Sequence, residues 1–215
     1  MTATGPTPAL KAGAYDDLKT LLAWRRDVRR FRTDALPDGL VAELLRVAGL
    51  APSVGLSQPW RWVLVDDPAR RAAVRTSFQA CNGEALAAQP QDRAGLYARL
   101  KLEGLDQAPC QIAVFSEPDP SQGGGLGRAT MPETAAYSTV MAIHTLWLAA
   151  RAAGVGVGWV SILDPQAVID ALQTPAHWTF IGYLCLGYPE AESDTPELER
   201  AGWERRAAGP VVLQR

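Results

Sequence analysis

The sequence predicts a single α+β domain, and three observations carry that expectation. Helical and strand-like patterns succeed one another along the chain without a clean βαβ repeat. A chain of 215 residues, 47% hydrophobic and 20% charged, is long enough to bury one well-formed core and short for two. Third, residues 133–153 hold a long helical pattern in which Val140, Met141, Ile143, Leu146, Trp147, Leu148 and Ala149 leave almost no polar face. Such a helix is expected to be covered on more than one side, by a large core or by a second subunit.

The elements follow in order. After a flexible leader over residues 1–14, residues 16–24 read as a short amphipathic helix and residues 37–50 as a second, with Pro37 preset for an early helical position. Residues 62–65 read as a buried strand, closed by Asp66-Asp67-Pro68, whose second Asp can cap a helix over residues 68–80. Residues 93–107 read as another helix and 112–115 as a strand. Residues 116–130, carrying Pro118, Pro120 and Gly123-Gly124-Gly125, form one long irregular stretch, either a plain surface loop or a lid. Strands over 155–163 and 179–188 complete the pattern, and the polar tail from Thr195, with Trp203 as its anchor, cannot fold alone.

A net charge of −2 gives no basic footprint for nucleic acid, so any arginine cluster serves something small and local. No apolar run approaches the ~18 residues of a membrane span, and the leader lacks the apolar core of a signal peptide, so a cytoplasmic protein is expected. Cys81, Cys110 and Cys185 lie far apart and make neither a disulfide framework nor a zinc pattern; the last two sit in apolar runs and read as inert. His144 falls on the apolar helix, as a buried or interface residue, and His177 in a loop; neither has a ligand-spaced partner, so no metal site is expected. Gly154-Val155-Gly156-Val157-Gly158 fails the dinucleotide fingerprint at Trp159, and its glycines fit close approach of a backbone or ring instead. The run from Gly123 to Gly127 fails at Arg128, and no Gly-x-Ser-x-Gly elbow is present.

The segment Trp24-Arg25-Arg26-Asp27-Val28-Arg29-Arg30-Phe31 sets one carboxylate among four arginines. Guanidinium forks suit phosphate oxygens, whereas Asp27 repels the same anion. The cluster reads either as a solvated helix end with Asp27 a local ion-pair partner, or as a phosphate site with a reactive group beside it. A second landmark is Ala51-Pro52-Ser53-Val54-Gly55-Leu56-Ser57-Gln58-Pro59-Trp60, running into the strand-like Arg61-Trp62-Val63-Leu64-Val65.

Together these segments resemble the FMN-binding half of the nitroreductase family, over nearly the whole chain from about residue 15 to 206. Asp27 stands where ordinary members carry Ser. With Leu100-Lys101-Leu102-Glu103-Gly104, Gly127 to Thr134 and Gly154 to Pro165, that departure is similar to one branch, the oxygen-dependent 5,6-dimethylbenzimidazole synthases. The resemblance implies a central mixed sheet flanked by helices, in a homodimer whose tails cross to the partner and whose flavin sites lie between subunits. It implies that Arg25, Arg26, Asp27, Val28 and Arg29 meet the phosphate and ribityl chain, with Arg206 (or Arg205) as a further phosphate ligand. Ser53, Val54, Gly55, Leu56 and Gln58 would line the ring, Lys101 its pyrimidine edge, and Trp159, Ser161 and Ile162 its other side. Asp27 and Ser161 would carry the chemistry, with no metal. Reduced FMN, supplied by a separate NAD(P)H flavin reductase, would be substrate and dioxygen co-substrate, giving the benzimidazole and erythrose 4-phosphate. An NAD(P)H-dependent nitroreductase that keeps its FMN, a cobalt reductase of corrinoid synthesis, and a flavin-storing or sensing module are the alternatives.

Overall fold

The computed structural model describes residues 11–215, so most of the expected leader lies outside the described residues. The elements are α1 (Ala14–Trp24), α2 (Leu40–Ala48), β1 (Trp60–Leu64), α3 (Pro68–Ala87), α4 (Gln91–Tyr97), β2 (Cys110–Ser116), α5 (Thr134–Ala152), β3 (Gly156–Val160), α6 (Pro165–Leu172), β4 (Thr179–Gly187) and α7 (Glu197–Arg200), with a 3₁₀ turn at Val54–Leu56.

The four strands form one sheet in the order β1-β2-β4-β3, every neighbouring pair antiparallel. The mixed character expected of the sheet is confined to an isolated parallel bridge between Asp27 and Val157. Strand residues alternate between two faces, as the pleat requires. Ala113, Phe115, Tyr183 and Cys185 pack with Val74 and Phe78 of α3 and Val168 and Leu172 of α6. Ile112, Val114, Leu184 and Leu186 pack with Leu44 and Ala48 of α2 and Ile143, Leu146 and Ala150 of α5. The result is three layers, with helices on both faces of the sheet.

Asp67 caps α3 by accepting from the backbone N–H groups of Ala69 and Arg70, and the helix runs on to Ala87, past the expected end. Helix α6 is unforeseen, although Asp164-Pro165 repeats the Asp-Pro start: the Asp164 side chain accepts from Gln166 N. Helix α2 begins at Leu40, not at Pro37, because Gly39 takes a left-handed turn (φ 79°) ahead of it. The helix expected over 93–107 stops at Tyr97. The chain then turns inward to bury Leu105, and a Cβ on Gly104 would sit 2.4 Å from the Phe31 ring, an approach that only glycine allows. Lys101 is therefore on a loop.

Helix α5 buries one side and exposes Tyr137, Val140, Met141 and His144, an i, i+3, i+4, i+7 stripe that no element of this chain covers among the described residues. His144 is thus not buried within this chain. Cys185 is fully buried and burial raises its thiol well above the ordinary range; Cys110, half-buried, is pushed up to about 11 by the same cause. No described helix is long and apolar enough to cross a membrane.

Candidate active site

Three residues after α1 ends, the chain lies across the edge of β3. Val28 N donates to Val157 O (3.0 Å), which brings Val28 over Gly156 and Gly158. A Cβ on Gly158 would fall 2.1 Å from Val28 O, so the glycines that fail as a nucleotide fingerprint serve instead to let this backbone pass. The crossing seats Asp27: its Oδ1 accepts from Trp159 N (2.9 Å) and its Oδ2 from Arg29 Nε (2.9 Å). The carboxylate is thereby fixed at the strand edge by two donors, one of them a cation.

The guanidinium groups around it are used differently. Arg29 also donates from Nη1 to Lys101 O (3.0 Å), which joins the carboxylate to the loop after α4. Arg26 turns back to α1, donating from Nη2 to Ala23 O (2.7 Å), while its Nε is buried with no partner among the described residues. Arg25 lies over the Trp147 ring, 4.8 Å from the centroid. With Arg206 these groups line a cleft of about 130 Å³, whose wall is made by Arg25, Arg26, Asp27, Arg29, Pro196, Glu197, Leu198 and Arg206. Burial depresses the Arg25 guanidinium below its ordinary value; Asp27 opposes this and the like charge of Arg206 adds to it. Burial depresses Arg26 as well, reinforced by Arg206 and then Arg25, against Asp194. Crowded cations with an orphaned donor make a place for a multiply charged anion. Arg206 rather than Arg205 lines this cleft.

Arg206 is held there by the tail of its own chain. Trp203 packs edge-on against Tyr97 (5.9 Å between centroids) and lies under the Arg93 guanidinium (4.1 Å), which also donates to Trp203 O (3.0 Å). The anchor expected at Trp203 is real, and its partners are in α4 of the same chain.

The other expected site residues fall into two groups. Beyond the end of β3, Ser161 is exposed and Ile162 packs on the core, while the Lys101 ammonium is paired with Glu103 (2.5 Å). Ser53, Val54, Gly55, Leu56 and Gln58 lie apart from the arginines, at the start of α5, where Val54 N donates to Ser138 Oγ (3.0 Å). Their backbone is unusual, with positive φ at Gly55 (55°), Leu56 (55°) and Gln58 (45°). The irregular stretch over 116–130 rests on them: Gln122 Nε2 donates to Leu56 O (2.7 Å), and a Cβ on Gly123 would lie 2.7 Å from Gly55 O. From Ser138 to Trp147, α5 rises nine residues, about 14 Å, so that distance separates the two groups along its axis. Trp147, Arg93 and Tyr97 take part in the arginine side of this arrangement without having been singled out in the sequence for it, because what marks them is contact with residues about 100 positions away.

Known proteins resemble this chain in sequence and in fold. The chain is 60% identical over 205 residues, 95% of its own length and 97% of the relative's, to a 5,6-dimethylbenzimidazole synthase of Rhodospirillum rubrum. It is 52% identical over 88% of its length, and 91% of the relative's, to one of Rhodobacter capsulatus. Among solved structures, an iodotyrosine deiodinase bound to FMN and 3-iodo-L-tyrosine superposes with a TM-score of 0.70 at 23% identity, over 92% of this chain and 97% of that one. A BluB-like flavoprotein of Clostridium difficile superposes at 0.64 and 21% identity, over 84% and 93%. The model of the nitroreductase family matches residues 22–188. The chain belongs to the nitroreductase family.

Proposed function

We propose that this protein is a 5,6-dimethylbenzimidazole synthase, an oxidoreductase that consumes reduced FMN and dioxygen. The observation that carries the reading is the Asp27 carboxylate, held by Trp159 N and Arg29 Nε inside a cluster of guanidinium groups. A site meant only to hold phosphate gains nothing from that negative charge. The identity to the Rhodospirillum rubrum synthase supports the same reading.

The residues fit a flavin mononucleotide. Arg25, Arg26, Arg29 and Arg206 would take the phosphate, whose charge relieves the crowding of the cations and whose oxygens offer acceptors to Arg26 Nε. Reduced FMN supplies the electrons that dioxygen accepts and the carbon skeleton from which the benzimidazole is made. Asp27, fixed at the edge of the cleft, accepts a proton from a ribityl hydroxyl or orients it. The Ser161 hydroxyl, exposed beyond β3, passes or holds a proton at the ring side. The Lys101 ammonium and the Ser53–Gln58 segment serve the ring. Val28, Trp159 and Ile162 shape the wall between them.

A second copy of the chain completes the site. The ring-lining segment and the arginines stand apart along α5, and Tyr137, Val140 and Met141 on that helix are exposed, as are Leu56 and Leu126. An isologous dimer would bury this surface and set the Ser53–Gln58 segment of one subunit toward the arginines of the other. The electrons would come from a separate flavin reductase, in the cytoplasm.

Removing one charge-assisted contact typically costs about 1.5–3 kcal/mol, so Arg25→Ala is expected to weaken FMN binding roughly ten- to hundred-fold. Titration of flavin fluorescence measures it, and a variant that binds FMN as the parent does would remove Arg25 from the phosphate site. For the activity itself, reduced FMN is mixed with the protein in air and the products are resolved by mass spectrometry. 5,6-Dimethylbenzimidazole in proportion to FMN lost is expected. Quantitative recovery of FMN, with rapid NAD(P)H-driven reduction of nitroaromatics, would return the chain to the ordinary reductases of its family.

A further inference from the structure

We infer that Trp147 is a positioning residue that sets the phosphate selectivity of the arginine cluster, by holding Arg25 through its face and the Arg26–Asp27 peptide through its edge. The inference rests on the phosphate reading of the cluster and names the residue that tunes it. Trp147 stands on the sheet-facing part of α5 and is half-buried against Trp159, with ring centroids 6.3 Å apart. Its indole N–H donates to Arg26 O (3.1 Å), which fixes the peptide leading into Asp27. Its ring carries the Arg25 guanidinium at 4.8 Å. Trp159, against which it leans, is the residue whose backbone N–H holds Asp27 Oδ1. One side chain thus touches the settings of three consecutive site residues.

The value of this arrangement lies in what it leaves unspent. A guanidinium has five N–H donors in its plane, and a hydrogen-bonded support uses some of them. Arg29 gives donors to Asp27 and Lys101 O, and Arg26 gives one to Ala23 O. Arg25 is supported from above its plane by the quadrupole of the indole, so its in-plane fork remains available for phosphate oxygens. Among the described residues its side chain makes no hydrogen bond to the protein. The partial burial that comes with the stack also strips water from the cation and strengthens its pull on an anion.

The test compares FMN with riboflavin, which lacks the phosphate, by fluorescence titration of the parent, Trp147→Phe, Trp147→Met, Arg25→Ala and the Trp147→Met/Arg25→Ala double variant; Trp147→Leu stands in if the Met variant does not fold. In Trp147→Met the ratio of FMN to riboflavin affinity should fall about five- to thirty-fold, with riboflavin affinity unchanged. Trp147→Phe, which keeps an aromatic face, should restore most of the ratio. The double variant should be no less selective than Arg25→Ala alone, since the tryptophan acts through that arginine. A Met or Leu variant with the parent's ratio, an equal loss for both flavins, or fully additive effects would overturn the inference. A parent that does not prefer FMN to riboflavin would instead overturn the phosphate reading on which it stands.

Discussion

Asp27→Asn is expected to abolish formation of 5,6-dimethylbenzimidazole while leaving capture of reduced FMN at least as tight as in the parent. The amide oxygen of Asn can still accept from Trp159 N or from Arg29 Nε, so the crossing of residues 25–29 over β3 keeps its main supports. What disappears is a negative charge that repels the bound anion, so binding gains, and the carboxylate base that Trp159 N and Arg29 hold in the arginine cleft, so fragmentation is lost. Dioxygen should still oxidise the bound reduced flavin, giving hydrogen peroxide and FMN in place of fragments. A loss of general-base catalysis alone is worth about 10²–10⁴ in rate. Single-turnover reactions of bound reduced FMN, with benzimidazole and recovered FMN both quantified, read the partition. An undiminished benzimidazole yield from Asp27→Asn would make the carboxylate a structural clasp of β3.

The second large effect is on folding. Gly158→Ala places a methyl group 2.1 Å from Val28 O, a backbone atom that is itself tied down by Val28 N donating to Val157 O. Neither side can yield without breaking the bridge between residues 27 and 157, so the cost should reach the upper part of the roughly 1–3 kcal/mol that overpacking brings, or exceed it. For a chain of this length that corresponds to a fall in melting temperature of about 6–12 °C. Gly156→Ala meets a Val28 methyl at 2.8 Å, the Val28 Cβ at 3.1 Å and Gly187 O at 3.3 Å, looser than the 2.1 Å at Gly158, and should cost less. The two variants in one thermal-unfolding experiment form a controlled pair. Equal melting temperatures for Gly158→Ala and the parent would mean that residues 25–29 do not lie against β3 in solution.

How much of this was legible in the sequence depended on the distance over which each cause acts. Asp67-Pro68 foretold the start of α3, because a cap is made within four residues of chain. The same signal at Asp164-Pro165 starts α6, whose eight residues carry too little periodicity to mark a helix by themselves. The expected helix over 93–107 overran because Leu96 and Leu100 stand at helical i, i+4 spacing, while what bends the chain inward is the meeting of Gly104 with Phe31, more than 70 residues away. The site divided in the same manner. Arg25, Arg26, Asp27 and Arg29 are neighbours in sequence and could be recognised as a cluster, whereas the choice between Arg205 and Arg206 as a wall of the cleft falls to Arg206 only in the fold. Trp147 could not be read as more than an apolar helix residue, since its indole N–H meets Arg26 O only in the fold. Left-handed backbone at Leu56 and Gln58 was equally hidden, because neither residue type asks for it.

The gathering of the cations in one cleft also bears on the order of events after bond breakage. In the proposed reaction the ligand breaks into the benzimidazole, a four-carbon sugar phosphate and the remnant of the flavin's pyrimidine ring, and only the sugar keeps the phosphate. Arg25, Arg26, Arg29 and Arg206 therefore retain a grip on the sugar phosphate and none on the benzimidazole, whose flat ring is left with stacking and shape alone. The benzimidazole would depart first, and the sugar phosphate would wait on the tail that carries Arg206, fastened through Trp203 to Arg93 and Tyr97. Turnover would then be paced by the loosening of that fastening rather than by the chemistry, and the two products would inhibit unequally, the phosphorylated one competing with FMN for the arginines it has just vacated.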